Sequence, residues 1–257
     1  MNRHRTMRGL FAITLVFLPA ALAAQATDLS VRFRVAQGYE QAGDWERAVP
    51  IYESLYQSEP QNYVYFDALR RGYTQLKLYD KAIILIENRL KTQKEDVLLL
   101  SSLGGVYYQM GEDLKADSVW QSVIRTSPKN SNLYRLVASQ MMEYRLYDQA
   151  IKMFLAARAA TGNAELFLDE LVNIYAAFQQ YEQATREYVM MLTTRPGQLS
   201  YVQSRMAVFV TRPEALRAAH RVVQEEVNRR SEEVPLRFLL AWLLMEGKDF
   251  DSALEEY

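Results

Sequence analysis

Alanine stands at residues 48, 82, 116, 150 and 184, five positions separated by equal steps of 34. Each closes a short motif. These are Trp45-Glu46-Arg47-Ala48, Tyr79-Asp80-Lys81-Ala82, Asp113-Leu114-Lys115-Ala116, Tyr147-Asp148-Gln149-Ala150 and Tyr181-Glu182-Gln183-Ala184. A further instance, Phe250-Asp251-Ser252-Ala253, follows after about two more steps. Large side chains keep the same period nine residues before the alanine (Tyr39, Tyr73, Tyr107, Met141, Tyr175, Leu244) and four after it (Tyr52, Ile86, Trp120, Phe154, Tyr188, Tyr257). A fixed period of this length marks an array of supersecondary units, each too small to bury its apolar face alone.

Spacing within the period predicts helices. Residues 97–107 carry Val97, Leu98, Leu99, Leu100, Leu103, Val106 and Tyr107, dense enough for a helix covered on more than one side. An alanine at a crossing lets two helices approach closely, and the aromatics fill the gaps between neighbours. Gly43 and Gly111 mark inner turns, and Pro60, Pro128 and Pro196 close units. Gly104-Gly105 falls inside a helical pattern and reads as close packing rather than a phosphate loop.

These positions resemble the tetratricopeptide repeat, a 34-residue helix–turn–helix unit with large, small, large, Ala, aromatic and Pro at fixed places. The likeness runs over residues 29–257. It is strongest at 97–128 (Leu100, Leu103, Gly104, Tyr107, Gly111, Ala116, Trp120, Pro128) and at 165–196 (Leu168, Leu171, Tyr175, Tyr181, Ala184, Tyr188, Pro196). It implies an all-α solenoid, a right-handed superhelix of about seven units. Their bounds are 29–62, 63–96, 97–130, 131–164, 165–198, 199–233 and an incomplete 234–257. Two departures stand out. Arg70 occupies a place that is usually small. The stretch between Gly197 and Val234 lacks the aromatic before Ala215 and puts Pro213 at the start of its second helix, so we expect a degenerate sixth unit with a shortened first helix.

The resemblance also implies a concave groove lined by the first helices. Its positions in four units are Val64, Asp67, Arg71, Thr74 and Gln75; Leu98, Ser101, Gly105, Tyr108 and Gln109; Asn132, Arg135, Ser139, Met142 and Glu143; and Leu166, Asp169, Asn173, Ala176 and Ala177. The candidate protein-binding residues are Asp67, Arg71, Gln75, Ser101, Tyr108, Gln109, Arg135, Met142, Asp169 and Asn173. Relatives that clamp a C-terminal carboxylate carry Lys at the fifth place and Asn at the ninth of one unit. No unit here has that pair; Arg135 and Asn173 offer donors one unit apart. Tyr108 and Tyr201 lie off the structural positions and are candidates for contact residues.

Little points to chemistry. The histidines are His4 and His220, and there is no cysteine, so no disulfide, His/Cys metal set or Cys–His pair is available. His220 reads as a solvent-facing or helix-packing side chain, and Glu225-Glu226, Glu232-Glu233 and Glu255-Glu256 as solvated faces. We expect no catalytic residue, no metal and no cofactor. Arg3, His4, Arg5 and Arg8 precede an apolar run from Leu10 to Ala24, with small-x-small sites at Ala21-Leu22-Ala23 and Ala24-Gln25-Ala26. Residues 1–26 therefore read as a cleavable export signal, because the apolar run from Leu10 to Ala24 falls short of the roughly 20 residues of a spanning helix. Without a cysteine the exported chain is not a lipoprotein, and no stable membrane insertion follows cleavage. The net charge of −1 becomes −1 − 3 = −4 once Arg3, Arg5 and Arg8 are removed, which argues against a nucleic-acid partner. Tyr257 falls mid-way along an expected helix with no cap after it, so we expect the natural chain to continue. The sequence thus points to a periplasmic or secreted scaffold binding a protein or peptide, for envelope assembly or export. The alternative is a recruiting arm of an enzyme whose catalytic domain lies beyond Tyr257.

Overall fold

The computed structural model describes residues 28–256; the segment read as an export signal, and Tyr257, lie outside them. The described chain is helix after helix, and no strand occurs among the described residues. A first helix, α1, covers residues 28–41. It is followed by α2 (Trp45–Ser58), α3 (Tyr63–Gln75), α4 (Tyr79–Leu90), α5 (Val97–Met110), α6 (Asp113–Thr126), α7 (Ser131–Glu143) and α8 (Tyr147–Thr161). Then come α9 (Leu168–Ala177), α10 (Tyr181–Thr194), α11 (Leu199–Val210), α12 (Pro213–Arg229), α13 (Val234–Glu246) and α14 (Phe250–Glu255). A 3₁₀ turn, Pro196–Gln198, leads into α11. This is the all-α, paired-helix class the period predicts. Contacts group the chain into two compact units that divide within α6, after Val123.

The period is built into the turns. Within successive pairs, a residue one or two places after the first helix has a left-handed backbone: Gly43 (φ 74°), Lys77 (56°), Gly111 (87°), Arg145 (61°) and Gln179 (58°), again in steps of 34, and later Lys248 (64°). The next residue's N–H reaches back to the carbonyl of the large residue near the helix end. Asp44 bonds Tyr39, Leu78 bonds Tyr73, Glu112 bonds Tyr107, Leu146 bonds Met141 and Gln180 bonds Tyr175, all at 2.8–2.9 Å. That left-handed cap satisfies helix-end carbonyls and reverses the chain in two residues. Glycine adopts it freely, but Lys77, Arg145 and Gln179 bear a steric cost of roughly 1 kcal/mol. We therefore expect Lys77→Gly, Arg145→Gly and Gln179→Gly each to stabilise the chain by about 0.5–1 kcal/mol, additively because they lie in separate pairs. Urea denaturation of single and triple variants checks this.

Capping residues share the period. Asn62, Asp96 and Asn130 each accept a hydrogen bond from the N–H two residues on, opening α3, α5 and α7. The next position in the series is Ala164, which has no acceptor. There Asn163 turns the chain instead, accepting from the Glu165 N–H, Phe167 takes φ 61°, and α9 starts only at Leu168. The shortest first helix of a pair is therefore α9, with 10 residues, whereas α11 has 12. The first helix of the pair containing Pro213 is itself shorter than α3, α5, α7 and α13, which have 13 or 14 residues. Proline at the first position of α12 is compatible with a helix start, since its missing N–H is unpaired there in any helix.

Burial follows the register. Ala48, Ala82, Ala116, Ala150 and Ala184 are all fully buried, as are Tyr52, Ile86, Trp120, Phe154 and Tyr188 four residues on. In the first unit, Phe33 of α1 meets Tyr52 and Tyr65 at 5.9 and 5.4 Å between ring centres. Gly104 lets α5 lie against the Trp120 indole, whose N–H donates to the Ser101 carbonyl at 3.1 Å. In the second unit, α8 and α10 are tied by an ion pair. Arg158 grips Glu187 with both terminal nitrogens (3.0 and 2.6 Å) while its Nε donates to the Leu166 carbonyl at 2.8 Å. Both side chains are only 11% exposed. Glu226, read from the sequence as solvated, is also buried, held by Arg229 and Arg230.

Candidate functional site

The first helices of each pair carry most of the residues singled out from the sequence, and many of them are already engaged with one another. In the first unit, α1 and α3 share a charge cluster. Arg71 donates to Glu40 through Nε (3.2 Å) and Nη2 (3.0 Å), and to Asp67 through Nη1. Arg70 adds two bonds to Asp67, at 3.1 and 2.8 Å. Glu40 also accepts from the Tyr52 hydroxyl. Two carboxylates and two guanidiniums thus balance. Arg70, where the family favours a small residue, is accommodated because Asp67 lies one turn before it on the same helix. Glu40 was not among the candidate residues. It sits at the twelfth place of the first unit, where the same carry-over applied to that unit would have found it.

In the second unit, α7, α9 and α11 contribute a comparable set. Asp169 accepts from the Tyr201 hydroxyl at 3.0 Å and faces Arg205 at 3.6 Å. Arg135 pairs with Glu170 at 3.1 Å and lies over the Phe167 ring at 4.9 Å. Tyr201, a candidate contact residue, is thus a cross-helix brace. Glu170 and Arg205 carried no sequence signal, because neither falls on a groove position.

The remaining candidates divide by exposure. Ser101 does not face a groove: it is 1% exposed, drawn inward where Gly104 brings α5 against Trp120. Tyr108 is half-buried beside Trp120, with ring centres 6.4 Å apart, and Met142 is half-buried while its neighbour Met141 is in the core. Gln75, Gln109 and Asn173 are exposed, and their side chains form no hydrogen bond with the described residues. Gln75 on α3 and Gln109 on α5 are 34 residues apart, so one register position presents an amide on two successive first helices of the same unit.

Several phenols are held neutral. Burial pushes the Tyr52 hydroxyl well above its ordinary range, reinforced by its bond to Glu40 and opposed by Arg71. Burial does the same to Tyr73, with its 2.7 Å bond to Glu53 second. Tyr188 is pushed up to about 12 by burial, against the pull of the Arg205 guanidinium. A group whose folded-state pKa is raised contributes stability that is complete below the unfolded value, near 10, and is lost as pH rises through the folded one. Stability should therefore be level from neutral pH to about 9.5 and fall from about 10 through 12. Tyr52→Phe should flatten part of that fall. Urea titrations at pH 8, 10 and 11 check both expectations.

No group of three or more His, Asp or Glu side chains suited to a metal ion occurs among the described residues, and no helix there is long and apolar enough to cross a membrane. What the first helices offer is hydrogen bonding and balanced charge.

The sequence model of the tetratricopeptide repeat family matches residues 33–62, which span most of α1 and all of α2. No curated protein matches the chain in sequence. Among solved structures the chain is similar to TTC0263, a thermophilic TPR protein in Thermus thermophilus, at 17% identity and a TM-score of 0.41 over 72% of this chain and 100% of that one. A tetratricopeptide repeat protein from Parabacteroides merdae ATCC 43184 aligns with 90% of this chain and 91% of its own, at 14% identity and a TM-score of 0.40. MamA MSR-1 aligns with 55% of this chain and 81% of its own, at 19% identity and a TM-score of 0.36. The matched segment is one period of a pattern whose left-handed residue, buried alanine and large buried side chain four places on return every 34 residues: the chain carries a tetratricopeptide repeat at residues 33–62 and repeats its helix–turn–helix pattern beyond it.

Proposed function

We propose that this protein is an interaction scaffold of the bacterial envelope, exported by residues 1–26, that holds a partner protein or peptide against its first helices. The observation that carries the reading is the repeated exposed amide at Gln75 and Gln109, set on a face whose charges are otherwise neutralised internally. Amides of this kind pair with the backbone of an extended or helical segment. A face with little net charge does not attract a nucleic-acid backbone or an anionic membrane. The segment Arg3 to Ala26 supports export.

Two experiments separate the parts of this proposal. N-terminal sequencing from a Gram-negative host should place the mature terminus between Ala24 and Thr27 in the periplasmic fraction; an intact Met1 in the cytosol contradicts export. Quantitative capture from envelope extract should lose the same proteins in Gln75→Trp/Gln109→Trp but retain them in Lys81→Trp, on the second helix α4. Equal retention in both variants contradicts binding at the first helices.

A further inference from the structure

Four successive first helices bury the same two register places. These hold Tyr65 and Leu69 in α3, Leu99 and Leu103 in α5, Leu133 and Val137 in α7, and Phe167 and Leu171 in α9. In α1 they hold Val31 and Val35, which are 43% and 48% exposed. Gly38, three residues on, extends the same stripe, and its counterpart 34 residues later is Gly72 in α3. A Cβ at Gly72 would stand 2.6 Å from Val49 Cγ2 and 3.6 Å from the Trp45 ring, both on α2. A Cβ at Gly38 would meet nothing within 4 Å. Glycine inside a helix is less favourable than alanine. The close approach of α2 accounts for it at Gly72, and nothing among the described residues accounts for it at Gly38. The equivalent residues of α5, α7 and α9 are Val106, Gln140 and Ile174, so the glycine is particular to α1 and α3. Arg34 lies on the stripe beside Val35. It is exposed, and its guanidinium has no partner among the described residues.

We infer that this stripe of α1 receives a helix from a partner protein, one that presents an aromatic ring and, four residues on, a branched aliphatic side chain, with a carboxylate nearby. The ring and the aliphatic group follow from Gly72, the other glycine at this register, where Trp45 and Val49 of a helix fill the place. The carboxylate follows from Arg34. Its counterpart in α3 is Ala68, which is fully buried, so a helix seated on α1 takes the guanidinium out of water, and that is costly without an opposite charge. This is not the face that carries Gln75 and Gln109, which stay exposed where α3 and α5 bury these register places. Either site can therefore fail without the other.

The probe is an acetylated and amidated peptide of residues 44–58, the helix that fills this place at Gly72, titrated into the full chain and followed by the valine methyl resonances. It carries Trp45 and Val49, and the acids Asp44, Glu46 and Glu53 against the one base Arg47. Saturable shifts are expected at Val31 and Val35. The same peptide with alanine for Trp45 and Val49 should bind about tenfold more weakly, from the apolar area lost. Gly38→Leu should raise the melting temperature of the free chain by about 2 °C, since the new side chain meets open space in a helix, yet abolish the shifts by filling the seat. Arg34→Glu, an exposed change that spares the fold, should weaken binding several-fold. No saturable shift, equal binding of the alanine peptide, or shifts insensitive to Gly38→Leu would each overturn the assignment. So would Val31 and Val35 methyls already packed against residues 10–24, or against a second copy, in the free chain.

Discussion

Replacing Arg158 by alanine should destabilise the second unit by about 3–5 kcal/mol, the cost of leaving a buried charge without its partner. Glu187 would lose both guanidinium bonds at 11% exposure, and the Leu166 carbonyl would lose its donor. That carbonyl belongs to the segment where the cap series fails at Ala164, so the arginine also holds the irregular approach to α9. Arg158→Met with Glu187→Leu should recover much of the loss, because apolar replacements of similar volume remove the unpaired charge. Chemical denaturation of the single and double variants decides it. A single variant as stable as the parent would mean that water reaches Glu187 freely.

Gly104→Ala should cost about 3 kcal/mol or more in the first unit, although alanine is intrinsically the better helix former by roughly 1 kcal/mol. A Cβ at this position would stand 2.5 Å from the Trp120 Nε1 and 2.6 Å from its Cδ1. The indole has no room to yield: Trp120 is 1% exposed and its N–H is bonded to the Ser101 carbonyl. Gly111→Ala, at a turn where a Cβ meets nothing within 4 Å, should cost only the left-handed backbone penalty of about 1 kcal/mol. The measurement is the difference in melting temperature between the two variants. Equal losses would mean that α5 and α6 are not in close contact at Trp120.

The fold was legible because the period acts through packing. Alanine at 48, 82, 116, 150 and 184 is demanded by helix crossings, and the large residue four places on is demanded by the space beside them, so both carry the repeat visibly. The turns carry the same period less visibly. Gly43 and Gly111 announce a left-handed residue, but Lys77, Arg145 and Gln179 adopt it under tertiary constraint with no signature in their type. The late start of α9 was readable in principle, as the break of Asn62, Asp96 and Asn130 at Ala164. The Arg158–Glu187 pair was not, since charged residues on helices are ordinarily solvated and burial of both depends on three-dimensional neighbours.

The candidate site was legible by position and opaque by state. Asp67, Arg71, Arg135 and Asp169 do sit on first helices, yet their pairing with Glu40, Glu170, Tyr201 and Arg205 decides what remains for a partner. Ser101 was misplaced because the sequence does not show how closely Gly104 admits Trp120. The missing aromatic before Ala215 was plain in the sequence, but only the structure shows its replacement, Arg212, bonded to the Tyr181 hydroxyl.

The most direct measurement places a photo-cross-linking amino acid at Gln75 and Gln109, on the first helices, and at Lys81 and Lys115, on the second helices α4 and α6, of the same unit. Irradiation in intact cells should give covalent products with one and the same partner protein from positions 75 and 109 and none from 81 and 115. Products only from the second helices, or none from any position in cells where the protein is abundant and folded, would contradict a partner held against the first helices.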